Sequence, residues 1–257
     1  MIDIHVHILP GLDDGAADVQ TAEAMAIIAV ENGIHHIIAT PHVSGGFPEY
    51  KCNDITGAVD QLNLHLAERE IALKIYPGAE YYLEPDLPDR FAAGELQTLN
   101  NSQYLLVELP ADQVPPYTGQ ILYELQLQGA VPIIAHPERN HGFISNPQLL
   151  GEFIQRGNLT QITTGSITGM FGQKAEKAAH YFIRQNWGHV IASDAHSSRR
   201  RIPELSSADK IIEKIAGKQL SRCLLVSNPS SILEGKSLLP LPAPQQAKSF
   251  FSFWRHN

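Results

Sequence analysis

Nine side chains able to hold a divalent metal ion stand out in the chain because they sit at or just past the ends of short apolar runs, or in a turn beside one. His5 and His7 close the run at 2–6, and His42 follows the run at 37–40. Glu80 follows the run at 72–76 and Glu108 lies near the end of 104–109. His136 ends 131–135, and Asp194 and His196 follow 189–192. Asp14 belongs to Gly11-Leu12-Asp13-Asp14-Gly15, which reads as a glycine-flanked turn that aims a carboxylate. Imidazole nitrogen and carboxylate oxygen without thiolate suit Mn²⁺, Zn²⁺ or Fe²⁺ and argue against a structural cysteine zinc site. Five histidines and four carboxylates are too many for one ion and enough for two or three. Three divalent ions would leave the site cationic and attractive to a phosphate monoester dianion. With two ions the charges cancel, and anion preference falls to arginines. Arg139 lies three residues after His136, and Arg199-Arg200-Arg201 follows Asp194-Ala195-His196. A guanidinium beside the metal rim can clamp a phosphoryl group in bidentate fashion.

Each piece alone has an ordinary reading. A His-x-His pair on a strand merely puts two rings on one face. His42 and His136 could be satisfied core histidines, and a run of three arginines is usually a solvated face. Glu108 is harder to dismiss, because a buried carboxylate costs several kcal/mol unless it is paired or metal-bound. What favours a metal site is that six of seven runs deliver such a residue at the same end.

The runs recur at intervals of about 30 residues and alternate with helical periodicity. Ile55, Val59, Leu62 and Leu66 share one helical face. Asn146-Pro147 reads as an N-cap with proline at the first helical position, and Gly157 falls where a helix ends. Between them Leu149, Leu150, Phe153 and Ile154 form an apolar stripe, and a second one runs through Leu205, Ala208, Ile211, Ile212 and Ile215. Seven strand–helix units imply a parallel α/β architecture closed into a barrel, where active sites gather at the C-terminal ends of the strands. An open doubly wound sheet is the structural alternative. No internal boundary interrupts residues 1–236. Residues 237–257 differ, with Pro240, Pro242, Pro244 and the aromatic stretch Phe250-Phe251-Ser252-Phe253-Trp254. They read as a tail draped over the barrel or as a docking peptide.

Composition narrows the functional classes. The 257 residues are 43% hydrophobic and carry a net charge of −8, which disfavours a nucleic-acid partner. Cys52 and Cys223 are too few and too far apart for a disulfide framework. Early charge at Asp3 interrupts any secretion signal, and no apolar run approaches a membrane span, so a cytoplasmic location without membrane insertion is expected. A cysteine phosphatase needs Cys-x5-Arg, but Ala58 and Pro229 occupy the arginine positions. A P-loop and a Gly-x-Ser-x-Gly elbow are also missing. His35, His65, His180 and His189 lack strand-end placement, while His141 stays open because it is close to Arg139.

The motifs resemble those of the polymerase-and-histidinol-phosphatase (PHP) superfamily. The carriers are the stretch at 1–16 with His5, His7 and Asp14, then Ala39-Thr40-Pro41-His42, Gly78-Ala79-Glu80, His136-Pro137-Glu138-Arg139 and Ser193-Asp194-Ala195-His196. More narrowly, the chain resembles the bacterial manganese-dependent protein-tyrosine phosphatases of the CpsB/YwqE type, over about residues 1–235. The resemblance implies a distorted (β/α)7 TIM-like barrel with three divalent ions, Mn²⁺ foremost and Zn²⁺ or Fe²⁺ as alternatives. It implies a first ion on His5, His7, Glu80 and Asp194. Glu80 would bridge to a second on Glu108 and His136, and Asp14, His42 and His196 would hold the third. Asp14 stands where the superfamily often has histidine. Arg139 and Arg201 are the catalytic, phosphate-contacting candidates. The implied activity is hydrolysis of phosphotyrosine by a metal-activated hydroxide. The implied partner is the phosphotyrosine-containing tail of a bacterial tyrosine kinase that regulates capsular or exopolysaccharide synthesis. Rival readings are a small-molecule phosphomonoesterase such as histidinol-phosphate phosphatase, an amidohydrolase-type barrel, and a non-catalytic metal-stabilised scaffold.

Overall fold

The computed structural model describes residues 1–238, 240 and 241. Among the described residues nine strands are set between helices, except that β2 runs on to β3 and β4 to β5 without one: β1 (Ile2–Val6), β2 (His36–Ala39), β3 (His42–Val43), β4 (Lys74–Pro77), β5 (Glu80–Tyr82), β6 (Tyr104–Glu108), β7 (Val131–Ala135), β8 (Leu159–Thr163) and β9 (Val190–Ala192). Every pairing is parallel. The seven expected runs are all strands, with ends shifted by a residue or two, and no open sheet is left. The difference is that the second and third staves are each broken in two. Their lower halves form the sheet β1-β2-β4, and their upper halves join the sheet β3-β5-β6-β7-β8-β9.

A proline and a glycine stand at the breaks. Pro41, between β2 and β3, has no N–H to continue the ladder, while its carbonyl accepts from Glu80 N at 3.1 Å. Gly78, between β4 and β5, lies so close to β2 that an added Cβ would stand 2.7 Å from Ile38 Cγ2 and 3.0 Å from the Ala39 carbonyl. The last gap closes between β9 and β1. Asp194 N donates to His5 O and His7 N donates to Ala195 O, each at 2.9 Å. The outcome is a closed seven-stave parallel barrel.

Strand alternation divides the apolar core in two. Leu105, Ile134, Ile162 and Ile191 pack toward the helices. Leu106, Ile133, Val190 and Ile4 cluster separately with Leu99 and Ile232. Glu108 has the parity of Leu106, so its carboxylate leaves the strand on the side of that second cluster. The helix Cys52–Glu68 buries Ile55, Val59, Leu62 and Leu66, as the periodicity requires. In the helix Pro147–Gln155, Leu150 and Phe153 are buried while Leu149 and Ile154 are half-buried. Asn146 occupies the N-cap, but its side chain makes no capping bond; its backbone carbonyl instead accepts from Leu149 N at 3.2 Å. The helix Ser206–Ala216 buries Ala208 and Ile212. Beyond the expected boundary at 236, Leu238 and Leu241 still pack against the core. Residues 239 and 242–257, including Phe250 to Trp254, lie outside the described residues.

No helix among the described residues is long and apolar enough to cross a membrane.

Candidate metal centre

Two of the strand ends carry backbone strain. His136 after β7 has φ 30° and Asp194 after β9 has φ 54°, both in the left-handed region that disfavours a side chain. Such conformations cost on the order of 1–3 kcal/mol each, and here they fall on two candidate ligands.

The nine expected metal ligands converge in one cluster. His5 Nε2 lies 3.1 Å from His7 Nε2 and 3.1 Å from Glu80 Oε2. Asp194 Oδ1 is 3.4 Å from both Nε2 atoms, and His7 Nε2 is 3.4 Å from Glu80 Oε2. Donor atoms about 2.1 Å from a common ion stand roughly 3.0–3.5 Å from one another, so these spacings fit a single ion. The other oxygen of Glu80, Oε1, lies 3.0 Å from His136 Nε2, which is 3.7 Å from Glu108 Oε1. Asp14 Oδ1 is 3.3 Å from His196 Nε2 and 3.8 Å from His42 Nε2. His42 Nδ1 also lies 3.2 Å from Glu80 Oε2, so the groups share a border. Asp14 is the most open member, with 54% of its side chain exposed, whereas Glu80 and the His5 and His7 rings are fully buried.

The outer atoms of the two leading histidines decide the charge that belongs between them. His7 Nδ1 lies 2.7 Å from Asp13 Oδ2, and an ionised carboxylate only accepts, so the proton sits on Nδ1. His5 Nδ1 faces Gln161 Oε1 at 2.9 Å, which fixes the same tautomer. Both Nε2 lone pairs therefore point inward at 3.1 Å, beside two carboxylate oxygens. That arrangement calls for a cation, and the donors fit Mn²⁺, Zn²⁺ or Fe²⁺.

Without ions, protons take up part of that role. Burial disfavours charge on His5 and His7, yet Glu80 and Asp194 around His5, and Asp13, Asp194 and Glu80 around His7, outweigh it and raise both pKa values. Burial and the charge of Glu80 push Glu108 up to about 8. His136 is lowered to about 4 by burial and then by Arg139. Hydrogen bonding to His196 brings Asp14 down to about 2.

Asp194 joins the cluster to the cationic side of the cavity. Its Oδ2 accepts from Arg139 Nη1 and lies 2.6 Å from Arg201 Nη2. Arg201 reaches inward while Arg199 and Arg200 are exposed. These groups border a cavity of about 250 Å³, which Phe47 and Tyr82 also line. Phe47 stacks on His42 with 4.6 Å between ring centroids. His141 is exposed and does not line the cavity.

Several supporting residues escaped the sequence reading. Asp13 holds His7 and also accepts from His42 N at 2.9 Å and Gly15 N at 2.9 Å. Gln161 holds His5 from β8, the one stave without a candidate ligand. Asp3 Oδ1 accepts from Ser193 N at 3.1 Å, tying β1 to the turn that carries Asp194. Glu138 Oε1 accepts from Thr163 N and Oγ1, anchoring the turn between His136 and Arg139. The signal available for Gln161 was a polar residue in a buried strand, the same oddity that marked Glu108.

The model of the capsular polysaccharide synthesis family CpsB/CapC matches residues 1–234. The chain belongs to that family. It is 38% identical to the tyrosine-protein phosphatase YwqE of Bacillus subtilis, over 99% of this chain and 100% of the relative. It superposes with a TM-score of 0.91 and 38% identity on a solved structure from work describing B. subtilis YwqE and Streptococcus pneumoniae CpsB as metal-dependent tyrosine phosphatases, covering 96% of this chain and 100% of that one. A histidinol phosphate phosphatase from Lactococcus lactis, 14% identical with a TM-score of 0.53, covers 84% of this chain and 93% of its own and shows the same fold alone. The CpsB/CapC chain thus has a TIM-like parallel barrel, and its ligand-type residues gather at one end of it.

Proposed function

We propose that this chain is a metal-dependent protein-tyrosine phosphatase acting in capsular polysaccharide synthesis. The observation that carries the reading is the double role of Asp194. One of its oxygens faces His5 and His7, and the other faces Arg139 and Arg201, so metal-type donors and anion-binding cations share one wall of the cavity. Relatives named tyrosine-protein phosphatases, matched over almost the whole chain, supply the substrate class.

In this reading His5, His7, Glu80 and Asp194 would hold one ion, Glu80, Glu108 and His136 a second, and Asp14, His42 and His196 a third, with Mn²⁺ as the native metal. Divalent ions bound there would supply Lewis acidity, lowering the pKa of water and polarising a phosphoryl oxygen. Arg139 and Arg201 bind the equatorial phosphoryl oxygens and hold the ester in line for attack by water oxygen. A new P–O bond forms as the bond to the phenolic oxygen breaks. The phenolate, with a reference pKa near 10, leaves with less protonation than an alkoxide needs. Cys52 and Cys223 do not line the cavity, so no cysteinyl phosphate forms. Residues 1–236 are the catalytic unit, and the substrate is the phosphotyrosine-containing tail of a bacterial tyrosine kinase.

Metal counting on the full chain tests the ligand assignment. Chelated protein reloaded with Mn²⁺ should bind three ions and recover phosphotyrosine hydrolysis. Full turnover after chelation, with no metal bound, would overturn it.

A further inference from the structure

Arg139 and Arg201 come from different parts of the chain, yet their guanidinium groups lie over one aromatic ring. Arg139 Cζ is 4.6 Å from the centroid of Phe171, and Arg201 Cζ is 5.7 Å from it. Both groups also address the same oxygen of Asp194. Two cations on one carboxylate oxygen repel each other, and the negative face of a ring beneath them offsets part of that repulsion.

The position of this ring is prepared by its surroundings. Phe171 is half-buried in the turn after the short helix Thr164–Ile167, between Gly169 (φ 83°) and Gly172 (φ 89°). Met170 N donates to the Gly165 carbonyl at 2.8 Å, folding the turn back over that helix. A Cβ at Gly165 would stand 2.7 Å from Phe171 Cε2, so the ring lies directly on the Gly165 backbone.

We propose that Phe171 is a positioning residue. Its face presets both guanidinium groups beside the Asp194 oxygen they share, ready to bind a phosphoryl group, and Gly165 is the residue that admits the ring. The inference rests on the reading of Arg139 and Arg201 as phosphoryl ligands. A ring that only filled space would be replaceable by leucine.

The test uses the full chain loaded with Mn²⁺. Inorganic phosphate affinity is measured by calorimetry, and KM and kcat on a phosphotyrosine peptide, for Phe171→Leu, Phe171→Tyr and Gly165→Ala. Phe171→Leu should weaken phosphate binding and raise KM about tenfold, with a smaller effect on kcat and unchanged metal content. Phe171→Tyr, which keeps the ring face, should stay near wild type. Gly165→Ala keeps Phe171 but displaces it, and should reproduce the loss even where the leucine variant folds poorly. Wild-type phosphate affinity and KM in Phe171→Leu would overturn the proposal, as would Phe171→Tyr being impaired as severely as Phe171→Leu. If phosphate affinity depends on Phe171 while the wild-type chain hydrolyses no phosphotyrosine, this inference stands and the phosphatase reading fails.

Discussion

Asp13 and His7 form a fixed pair: Oδ2 of the aspartate lies 2.7 Å from Nδ1 of the ring, and the same oxygen accepts from the backbone of His42 at 2.9 Å. One carboxylate therefore sets the tautomer of one candidate ligand and the strand start of another. The neighbouring residue, Asp14, turns its own carboxylate toward His196 and His42.

Asp13→Asn should weaken metal binding without removing a ligand. Replacing an outer-sphere carboxylate of this kind typically lowers affinity about 10–100-fold. Competition with a metal-binding dye measures this. Unchanged affinity in the variant would show that the His7 ring is held by other means.

Glu80 and Arg139 should fail in different ways. Glu80→Ala removes a carboxylate whose two oxygens face different histidines, and it should lose two ions together with activity. Arg139→Ala should retain its metals and lose about 10²–10³-fold in kcat/KM. Metal analysis alongside kinetics separates the two. Full metal content and turnover in Glu80→Ala would remove Glu80 from the ligand set.

Arg201 should differ from its two neighbours. Arg201→Ala is expected to weaken phosphate binding, because its Nη2 reaches Asp194 at 2.6 Å. Arg199→Ala and Arg200→Ala, both solvent-facing, should behave as wild type in the same titration. Equal effects at all three positions would point to a diffuse cationic field in place of a specific clamp.

The metal-free chain should lose stability as pH rises from about 6.5 to 8. His5 and His7 are raised above the ordinary imidazole value of about 6.5, so their contribution is complete below it and is lost as pH rises through their folded values. Glu108, raised to about 8, is neutral in the folded chain and ionised in the unfolded one between 4.5 and 8, which also lowers stability as pH rises. Below 6.5 His136, lowered to about 4, protonates in the unfolded chain first and acts against Glu108, so the fall is confined to the alkaline side. Bound metal displaces the protons of His5, His7 and Glu108, so the stabilisation it adds should grow from pH 6.5 to 8. Thermal melts with and without chelator check both slopes. A metal-free midpoint that rises steadily through this interval would contradict the assignment.

Much of the barrel was legible because each stave carries its own pattern. The buried stripe Ile55, Val59, Leu62 and Leu66 and the isolated Glu108 in an apolar strand are local facts, and both landed where periodicity placed them. What was hidden depends on contacts distant in sequence. The break at Gly78 arises from the approach of Ile38 and Ala39, which no spacing within one run reveals. Gln161 reaches His5 across 156 positions, and Phe171 meets Arg139 and Arg201 only once the staves close. Asp13 was overlooked for another reason. In the doublet Asp13-Asp14 both residues have the same chemistry, and only the fold of the turn tells which carboxylate faces the ring and which faces the cavity.

The most direct measurement is initial rate on a phosphotyrosine peptide and on histidinol phosphate, using chelated protein and the same protein reloaded with Mn²⁺ or Zn²⁺. Turnover that vanishes on chelation, returns with metal and favours the peptide is the expected result. Metal-restored turnover favouring histidinol phosphate, or no turnover on either by metal-replete protein, would contradict the assignment as a tyrosine phosphatase.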